Sequence, residues 1–158
     1  MIQIENISKS YGDIKSLSDI NSRIENASIY GLIGSNGSGK STLLRIMSGI
    51  MRPDSGKILY DNQNVYENPQ VKDTVVYLSD EQFFLPNSSV DEMAGLYASL
   101  YKNFSKERYS QLLNLFGLDG SRKLSTFSKG MKKQASILLG ISCCPKYLLC
   151  DETFDGLD

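Results

Sequence analysis

Histidine is absent from all 158 residues of this sequence, and cysteine occurs only three times. The absence of histidine excludes catalysis that uses an imidazole as its acid, base or nucleophile. The three cysteines, Cys143, Cys144 and Cys150, match no zinc-binding spacing. An odd number of cysteines in apolar surroundings is typical of reduced, buried thiols in a cytosolic protein.

The sequence also lacks a strong net charge and a long apolar run. Its formal net charge is −1 at pH 7, so the composition predicts no large basic surface for nucleic acid or for an anionic membrane. The most apolar stretch, residues 135–150, is too short to span a bilayer and is interrupted by Pro145 and Lys146. The chain is long enough for one domain with a hydrophobic core.

The most informative segment that is present is a glycine-rich loop at residues 34–42, GSNGSGKST. It matches the phosphate-binding pattern G-x-x-x-x-G-K-[ST]. Residues 27–33 before it predict a short buried strand, and residues 42–48 have apolar side chains at helical spacing. Because glycines accept positive φ angles, backbone N–H groups of such a loop can surround phosphate oxygens at a helix N-terminus. The loop therefore predicts nucleoside triphosphate binding, with Lys40 on the β- and γ-phosphates and the Ser41 hydroxyl on Mg²⁺.

The remaining segments predict an α/β protein with a helical insertion. Strands are predicted at residues 2–8, 17–24, 57–60, 64–66 and 74–78, and the third and fourth of these form a hairpin. Helices are predicted after Ser89, which begins a capping box, after Ser105, and from about residue 128 to residue 142. We interpret their aromatic and leucine stripes as core positions rather than as a ligand site.

An acidic pair follows a further apolar strand at residues 147–150. Asp151 and Glu152 come directly after this segment, which reads YLLC. In a phosphate-loop protein, a carboxylate in the position of Asp151 binds Mg²⁺ through its water shell, and one in the position of Glu152 orients the attacking water. A surface acidic pair at a strand end is the alternative, and the upstream loop favours the functional interpretation.

A third motif, FSKGM at residues 127–131, places Ser128 at the predicted start of the third helix. A serine hydroxyl, a glycine N–H and a helix N-terminus can together bind an anion, although an ordinary serine N-cap has the same sequence. With its three motifs in this order, the chain resembles the ATP-binding cassette (ABC) family, whose LSGGQ signature has an F-S-x-G-M variant. The resemblance extends to Tyr11, which matches the family's adenine-stacking aromatic, and to residues 155–158, which match the start of its D-loop.

The resemblance implies a P-loop NTPase fold of the α/β class. This fold has a RecA-like core with a parallel sheet, an N-terminal antiparallel β-subdomain and an inserted α-helical subdomain. The expected organisation is a single, incomplete ABC domain over residues 1–158. Residues 1–80 would hold the β-subdomain and the Walker A half of the core, residues 86–142 the helical subdomain with the signature, and residues 145–158 the Walker B strand.

The resemblance also implies ATP and Mg²⁺ as cofactors, Glu152 as the catalytic residue, and Ser41 and Asp151 as metal ligands. The implied nucleotide-binding residues are Tyr11, Gly34, Ser35, Asn36, Gly37, Ser38, Gly39, Lys40, Ser41, Thr42, Ser128 and Gly130. The last two would act on ATP held by a second ABC ATPase domain, because two such domains pair head to tail. A transmembrane permease subunit is the other implied partner, contacted through residues 83–87 and the first helices of the insertion. Phe83 and Phe84 could belong to that interface or to the core of the subdomain. No nucleic acid is expected.

This pattern corresponds to a bacterial transporter ATPase on the inner face of the cell membrane, most similar to the subunits of ABC-2-type exporters. A soluble ABC ATPase of translation or DNA repair and a hydrolysis-deficient nucleotide-binding regulator are the alternatives. Lys129, Lys132 and Lys133 open the third helix, and we interpret them as a solvated face rather than as a nucleic-acid contact.

Three departures from the family pattern bear on these expectations. Asp80 stands where the family has its Q-loop glutamine, and Glu81 or Gln82 could take that role instead. Thr153 replaces a proline, which removes stiffness but no side-chain chemistry. The family's later strand, with its histidine, is missing from these residues, so we expect a longer protein. The chain alone is then expected to aggregate or exchange strands.

Overall fold

The computed structural model describes residues 1–153, which fall into two compact units, Met1–Lys72 and a second unit that begins at Asp73. The first unit contains an antiparallel sheet of four strands in the order β2-β1-β3-β4. The strands are β1 (Ile2–Tyr11), β2 (Ile14–Ile24), β3 (Ser55–Tyr60) and β4 (Gln63–Asn64). This sheet confirms the predicted N-terminal β-subdomain and the predicted hairpin.

Two short helices, α1 (Lys40–Met47) and α2 (Pro69–Lys72), complete the first unit. Three apolar residues of α1 are buried: Leu43, Ile46 and Met47. The Tyr60 hydroxyl of β3 donates a 2.8 Å hydrogen bond to the Met47 carbonyl, so the end of α1 is tied to the sheet. The amphipathic pattern of residues 42–48 therefore predicted this helix, which begins two residues earlier.

The predicted buried strand at residues 27–33 is wrong. The segment has no regular secondary structure after a turn at its start, and the side chains of Ile29 and Ile33 are almost completely exposed, at 104% and 96%. A buried strand needs a neighbour that satisfies its backbone N–H and C=O groups. Within residues 1–153, no strand of either sheet pairs with this segment. An apolar pattern alone does not supply the neighbouring strand that a buried strand requires.

The second unit combines a parallel strand pair with helices. The strands β5 (Val75–Leu78) and β6 (Tyr147–Cys150) are parallel, with Val75 opposite Tyr147 and Leu78 opposite Cys150. The helices are α3 (Val90–Leu100), α4 (Lys106–Leu115) and α5 (Lys129–Ser142). Their N-caps are the predicted serines Ser89, Ser105 and Ser128, and Ser89 forms the full capping box. None of the helices in the described part of the chain is long and apolar enough to cross a membrane.

The packing of α5 on β5 orders the end of the strand pair. Val76 and Leu78 of β5 form a buried cluster with Ile137 and Cys143. A Cβ atom added at Gly140 would lie 2.7 Å from a Leu78 methyl group, so the absence of a side chain there lets helix and strand approach closely. This contact places α5 beside the carboxyl ends of β5 and β6, where the acidic pair begins.

Candidate functional site

The glycine-rich loop forms a compact turn that leads into α1. Gly37 and Gly39 have φ angles of 81° and 92°, a region that favours glycine. The Ser38 N–H donates to the Ser35 carbonyl at 3.1 Å, and the Leu43 N–H donates to the Gly39 carbonyl at 2.9 Å. A Cβ atom at Gly39 would lie 2.7 Å from the Ser16 carbonyl oxygen, so both conformation and space require glycine there.

Lys40 folds over its own loop. Its ammonium donates to the carbonyl oxygens of Gly34 and Ser35 at 2.9 and 3.0 Å. The N-cap of α1 is Gly39, which gives no side-chain cap, and the first turn of the helix has no acidic residue. An uncapped, positively polarised helix start beside a lysine and positive-φ glycines has the chemistry that a phosphate group requires. The loop residues therefore fit the predicted phosphate ligand.

Two further predicted nucleotide-binding side chains lie in the first unit. The Thr42 hydroxyl oxygen accepts a hydrogen bond from the Ser16 hydroxyl at 3.2 Å, which ties α1 to β2. Tyr11 ends β1 with its side chain about half exposed, and its hydroxyl donates to the Met51 sulfur at 3.1 Å. Since the ring is not enclosed by the sheet, adenine stacking on Tyr11 stays a prediction with an accessible ring to support it.

The acidic pair lies at the carboxyl end of β6, as the sequence predicted. Asp151 is buried, at 5% exposure, and its carboxylate accepts a 2.9 Å hydrogen bond from the hydroxyl of Tyr77. The Asp151 N–H donates to the Leu78 carbonyl at 2.9 Å and so extends the parallel pairing beyond β6. Glu152 is exposed and has a φ angle of 48°, which is unfavourable for a residue with a side chain.

Lys133, like Tyr77, is a site residue that the sequence interpretation missed. Its side chain is 1% exposed, its ammonium donates to the Glu152 carbonyl at 3.0 Å, and it forms an ion pair with Asp80 at 3.2 Å. The interpretation of Lys133 as part of a solvated face is therefore wrong. Helical spacing could have revealed it, because Ser136, Ile137 and Gly140 follow at intervals of three, four and seven residues and are all buried.

The loop after β5 holds the three candidates for the Q-loop role. Asp80 is occupied by its ion pair with Lys133, although its side chain remains 48% exposed. The Gln82 side-chain amide donates to the Asp80 carbonyl, and the Ser79 hydroxyl donates to the Glu81 carbonyl at 2.6 Å. The loop is thus closed by its own hydrogen bonds, and the choice among Asp80, Glu81 and Gln82 stays open.

The signature segment begins α5. The Ser128 hydroxyl accepts a 3.2 Å hydrogen bond from the Met131 N–H, which is the ordinary N-cap geometry. Phe127 before it is buried, and the Arg122 guanidinium lies 5.3 Å from its ring centre. Ser128 is exposed and Gly130 is partly exposed. The cap leaves the hydroxyl hydrogen of Ser128 to donate, so the anion-binding role remains a prediction.

The predicted site residues thus fall into two groups, one in each unit. Tyr11 and residues 34–42 belong to the first unit, and Ser128, Gly130, Asp151 and Glu152 belong to the second. The structure adds Tyr77 and Lys133 to the second group. The predicted D-loop, residues 155–158, lies outside the described residues.

The thiols near β6 fit the expectation of reduced cysteines. All three are free. Burial raises the pKa of the Cys143 thiol to about 12, with a smaller contribution from Cys144. Burial also raises the pKa of Cys150, and a hydrogen bond with Thr153 partly offsets this effect. A raised pKa keeps a thiol protonated at neutral pH and makes it a poor nucleophile.

Comparison with known proteins identifies close likenesses over the whole chain. A family model described as ABC transporter matches residues 17–155. The chain is 32% identical over 158 residues to the ABC transporter ATP-binding protein YtrB of Bacillus subtilis (strain 168), covering 100% of this chain and 54% of YtrB. The chain therefore spans about half the length of this curated relative.

Two solved structures share the fold. The structure of an ATP binding subunit of an ABC transporter has a TM-score of 0.89 and 27% identity, and the match covers 100% of this chain and 68% of that one. The dimeric structure of MJ0796, a bacterial ABC transporter cassette, has a TM-score of 0.88 and covers 100% of this chain and 76% of that one. At 23% identity, this second likeness is evidence of the fold alone.

Proposed function

The chain belongs to the ABC transporter family, and from that premise we propose that it binds and hydrolyses ATP as the ATP-binding subunit of a bacterial transporter. In this proposal two ATP-binding domains pair head to tail on ATP, and the resulting motion acts on a separate membrane permease at the inner face of the membrane. The observation that carries the proposal is the loop of residues 34–42, with its positive-φ glycines and Lys40 at the start of α1.

The loop residues and the acidic pair have different proposed roles in ATP binding and hydrolysis. ATP bound with Mg²⁺ supplies the γ-phosphoryl group and the negative charge that the protein must balance. Loop N–H groups would hold phosphate oxygens, and Lys40 would exchange its two carbonyl acceptors for charged ones, which bind it more strongly. The Ser41 hydroxyl and the Asp151 carboxylate offer the oxygen ligands that Mg²⁺ prefers, and the exposed Glu152 would orient the attacking water.

Exposed residues support the proposed contact surfaces for the permease and for the second ATP-binding domain. Phe84 is partly buried and packs against the helical core, whereas Phe83 beside it is 75% exposed. Phe83 and, to a smaller extent, Leu85 at 43% exposure are therefore the apolar side chains of the residues 83–87 loop that a permease would cover. Ser128 and Gly130, at the exposed start of α5, would contact ATP held by a second copy or by a related domain.

A hydrolysis-deficient nucleotide-binding regulator is the second candidate. The observation in its favour is Asp80, which stands at the Q-loop position and whose half-exposed carboxylate is paired with Lys133, so that the ammonium competes with Mg²⁺ for it. Both candidates bind ATP, so only turnover separates them.

The two candidates are separated by measuring ATP affinity and phosphate release for the purified protein and three variants. We expect Lys40→Ala to lose tight ATP binding, because no other side chain in the loop replaces its charge. We expect Glu152→Gln to bind ATP, to lose turnover by about a hundredfold or more, and to accumulate as a dimer in size-exclusion chromatography with ATP. Glu107→Gln, which changes an exposed carboxylate of α4 that has no role in the proposed site, serves as the control.

Equal turnover in the wild-type protein and Glu152→Gln would contradict the role given to Glu152. Tight ATP binding without any turnover in the wild type would support the regulator instead.

A further inference from the structure

A buried lysine joins three segments at the acidic end of the second unit. Lys133, in the second turn of α5, is 1% exposed. Its ammonium reaches the Asp80 carboxylate in the loop after β5 at 3.2 Å and the main-chain carbonyl of Glu152 after β6 at 3.0 Å. The bond to Glu152 goes to its backbone, so the Glu152 carboxylate is left exposed and is not the partner of this charge.

Burial of the Lys133 ammonium is unfavourable for stability, which indicates that its contacts have another role. An ammonium removed from water loses most of its favourable solvation, and an apolar side chain of similar length would avoid that loss. The Asp80 carboxylate offsets only part of the cost, because it is itself about half exposed and screened by solvent. An apolar residue at this position of α5 is thus expected to stabilise the fold at least as well as the lysine, so stability alone does not explain the lysine.

The backbone conformation of Glu152 indicates what the Lys133 contact stabilises. Its φ angle of 48° lies in the left-handed region, which is uncommon and unfavourable for a residue with a side chain. The hydrogen bonds that hold the chain there include the Asp151 N–H on the Leu78 carbonyl at 2.9 Å, the Thr153 hydroxyl on the same carbonyl at 3.3 Å, and the Lys133 ammonium on the Glu152 carbonyl. Without the ammonium, the peptide after Glu152 would lose a charged partner and the φ angle could relax.

We propose that Lys133 is a positioning residue for ATP hydrolysis: it ties the Asp80 loop to the main chain of Glu152 and thereby fixes the direction of the Glu152 carboxylate. This inference rests on the proposed role of Glu152 in orienting water. Asp80 serves as the anchor of the lysine and does not act as a metal ligand while it is paired. Geometry at the level of about 1 Å matters for such a carboxylate, because misplacement of that size costs about a hundredfold in rate.

The first test uses hydrogen exchange in the nucleotide-free protein. The Asp151 N–H, bonded to Leu78, reports the end of β6 near Lys133, and the Tyr147 N–H, bonded to Thr74 at 3.0 Å, reports the other end of the same strand. We expect Lys133→Met to speed exchange at Asp151 by about tenfold and at Tyr147 by less than about twofold. Lys132→Met, which removes the neighbouring ammonium of α5, should change neither.

The second readout is steady-state ATP turnover. Lys133→Met should lower kcat by about tenfold or more and leave KM for ATP within about threefold, because phosphate binding resides in the residues 34–42 loop. Lys133→Arg keeps a cation that can donate to both partners, and it should recover most of kcat and the slow exchange at Asp151. If Lys133→Met does not fold, Asp80→Asn is judged by the same measurements, with a smaller expected change.

The outcomes separate this inference from the proposed function. Exchange that stays within about twofold at Asp151, or that rises equally at Asp151 and Tyr147, overturns the positioning role, because the second result is general destabilisation. A normal kcat with fast exchange at Asp151 also overturns it. A wild-type protein that binds ATP but shows no turnover refutes the proposed hydrolysis instead, and the exchange measurements still decide whether Lys133 holds Glu152.

Discussion

The phosphate-binding loop of the first unit and the acidic end of β6 in the second are ordered by different means. The loop is built almost entirely from contiguous residues, with Lys40 bonded to the carbonyls of Gly34 and Ser35. The acidic end depends on side chains far away in the sequence: Tyr77 lies 74 residues before Asp151, and Lys133 lies 19 residues before Glu152. The sequence therefore predicts both the residues and the geometry of a contiguous motif. For a site formed by residues that are distant in the sequence, it predicts only the residues with the relevant chemistry and not their neighbours.

The largest effect should come from filling the space of a loop glycine. In Gly39→Ala, the new methyl group would lie 2.7 Å from the Ser16 carbonyl oxygen. The alanine would also have to adopt the φ angle of 92° that glycine has there. We expect a loss of about 2 kcal/mol or more in the free energy of unfolding and loss of ATP binding. Gly37→Ala is the matched control, because its φ angle is 81° but no atom lies within 4 Å of the added carbon.

The control should lose only about 1–2 kcal/mol from backbone strain. Urea unfolding and ATP titration of both variants check the comparison. Equal losses in the two variants would mean that the contact with β2 does not shape the loop.

A moderate effect is expected from Tyr77→Phe at the acidic end. This change removes the hydroxyl that donates to Asp151 at 2.9 Å and leaves the ring in place. Since partners of metal-binding carboxylates affect metal affinity by about tenfold to a hundredfold, we expect the Mg²⁺ concentration for half-maximal turnover to rise by about tenfold. Tyr101→Phe, a second partly buried tyrosine of the same unit, is the control and should leave this concentration unchanged.

The Mg²⁺ titration of turnover for these two variants checks the prediction. An unchanged Mg²⁺ dependence in Tyr77→Phe would show that the acidic end is as locally determined as the loop.

The smallest expected effect is a loss of stability at alkaline pH, which depends on the buried cluster of Val76, Leu78, Ile137 and Cys143. The pKa of Cys143 is raised from 9.0 to about 12 by burial. The unfolded chain therefore releases this proton at a lower pH than the folded chain, and stability falls as the pH rises above about 9. The Tyr97 pKa, also raised to about 12 by burial, acts in the same direction.

Cys143→Ala should weaken the alkaline loss of stability and, by removing a buried sulfur, lower stability at neutral pH. Urea midpoints of the wild type, Cys143→Ala and the control Cys144→Ala at pH values of about 7 and 10 check this. A midpoint that falls equally with pH in wild type and Cys143→Ala would show that the thiol does not titrate differently on unfolding.

The comparison also shows why some expectations from the sequence succeeded. The serine N-caps, the helical stripes and the hairpin each depend on residues that are close together in the sequence, and Ser89, Ser105 and Ser128 all cap their helices. The acidic pair was located because an apolar strand precedes it. The roles of Tyr11, Ser128 and Gly130 stay predictions, because each one concerns a ligand or a second domain.

The failures have a common physical origin. The strand predicted at residues 27–33 required a partner strand, and periodicity carries no information on partners. Lys133 was assigned to solvent because its charge was weighed above its position in the helix, although its spacing to Ile137 places it on the buried face of α5. The partner that makes such burial tolerable, Asp80, is 53 residues away in the sequence, and no local pattern indicates it.

The bonds of Lys40 to its own loop have a consequence for the thermodynamics of binding. They close residues 34–40 into a ring of hydrogen bonds between neighbouring residues of the loop. The conformational entropy of the loop is therefore already lost during folding, and an incoming triphosphate replaces existing acceptors without having to order a disordered segment. The heat of binding should consequently be dominated by the exchange of carbonyl acceptors for phosphate oxygens, with little opposing entropy from the loop itself.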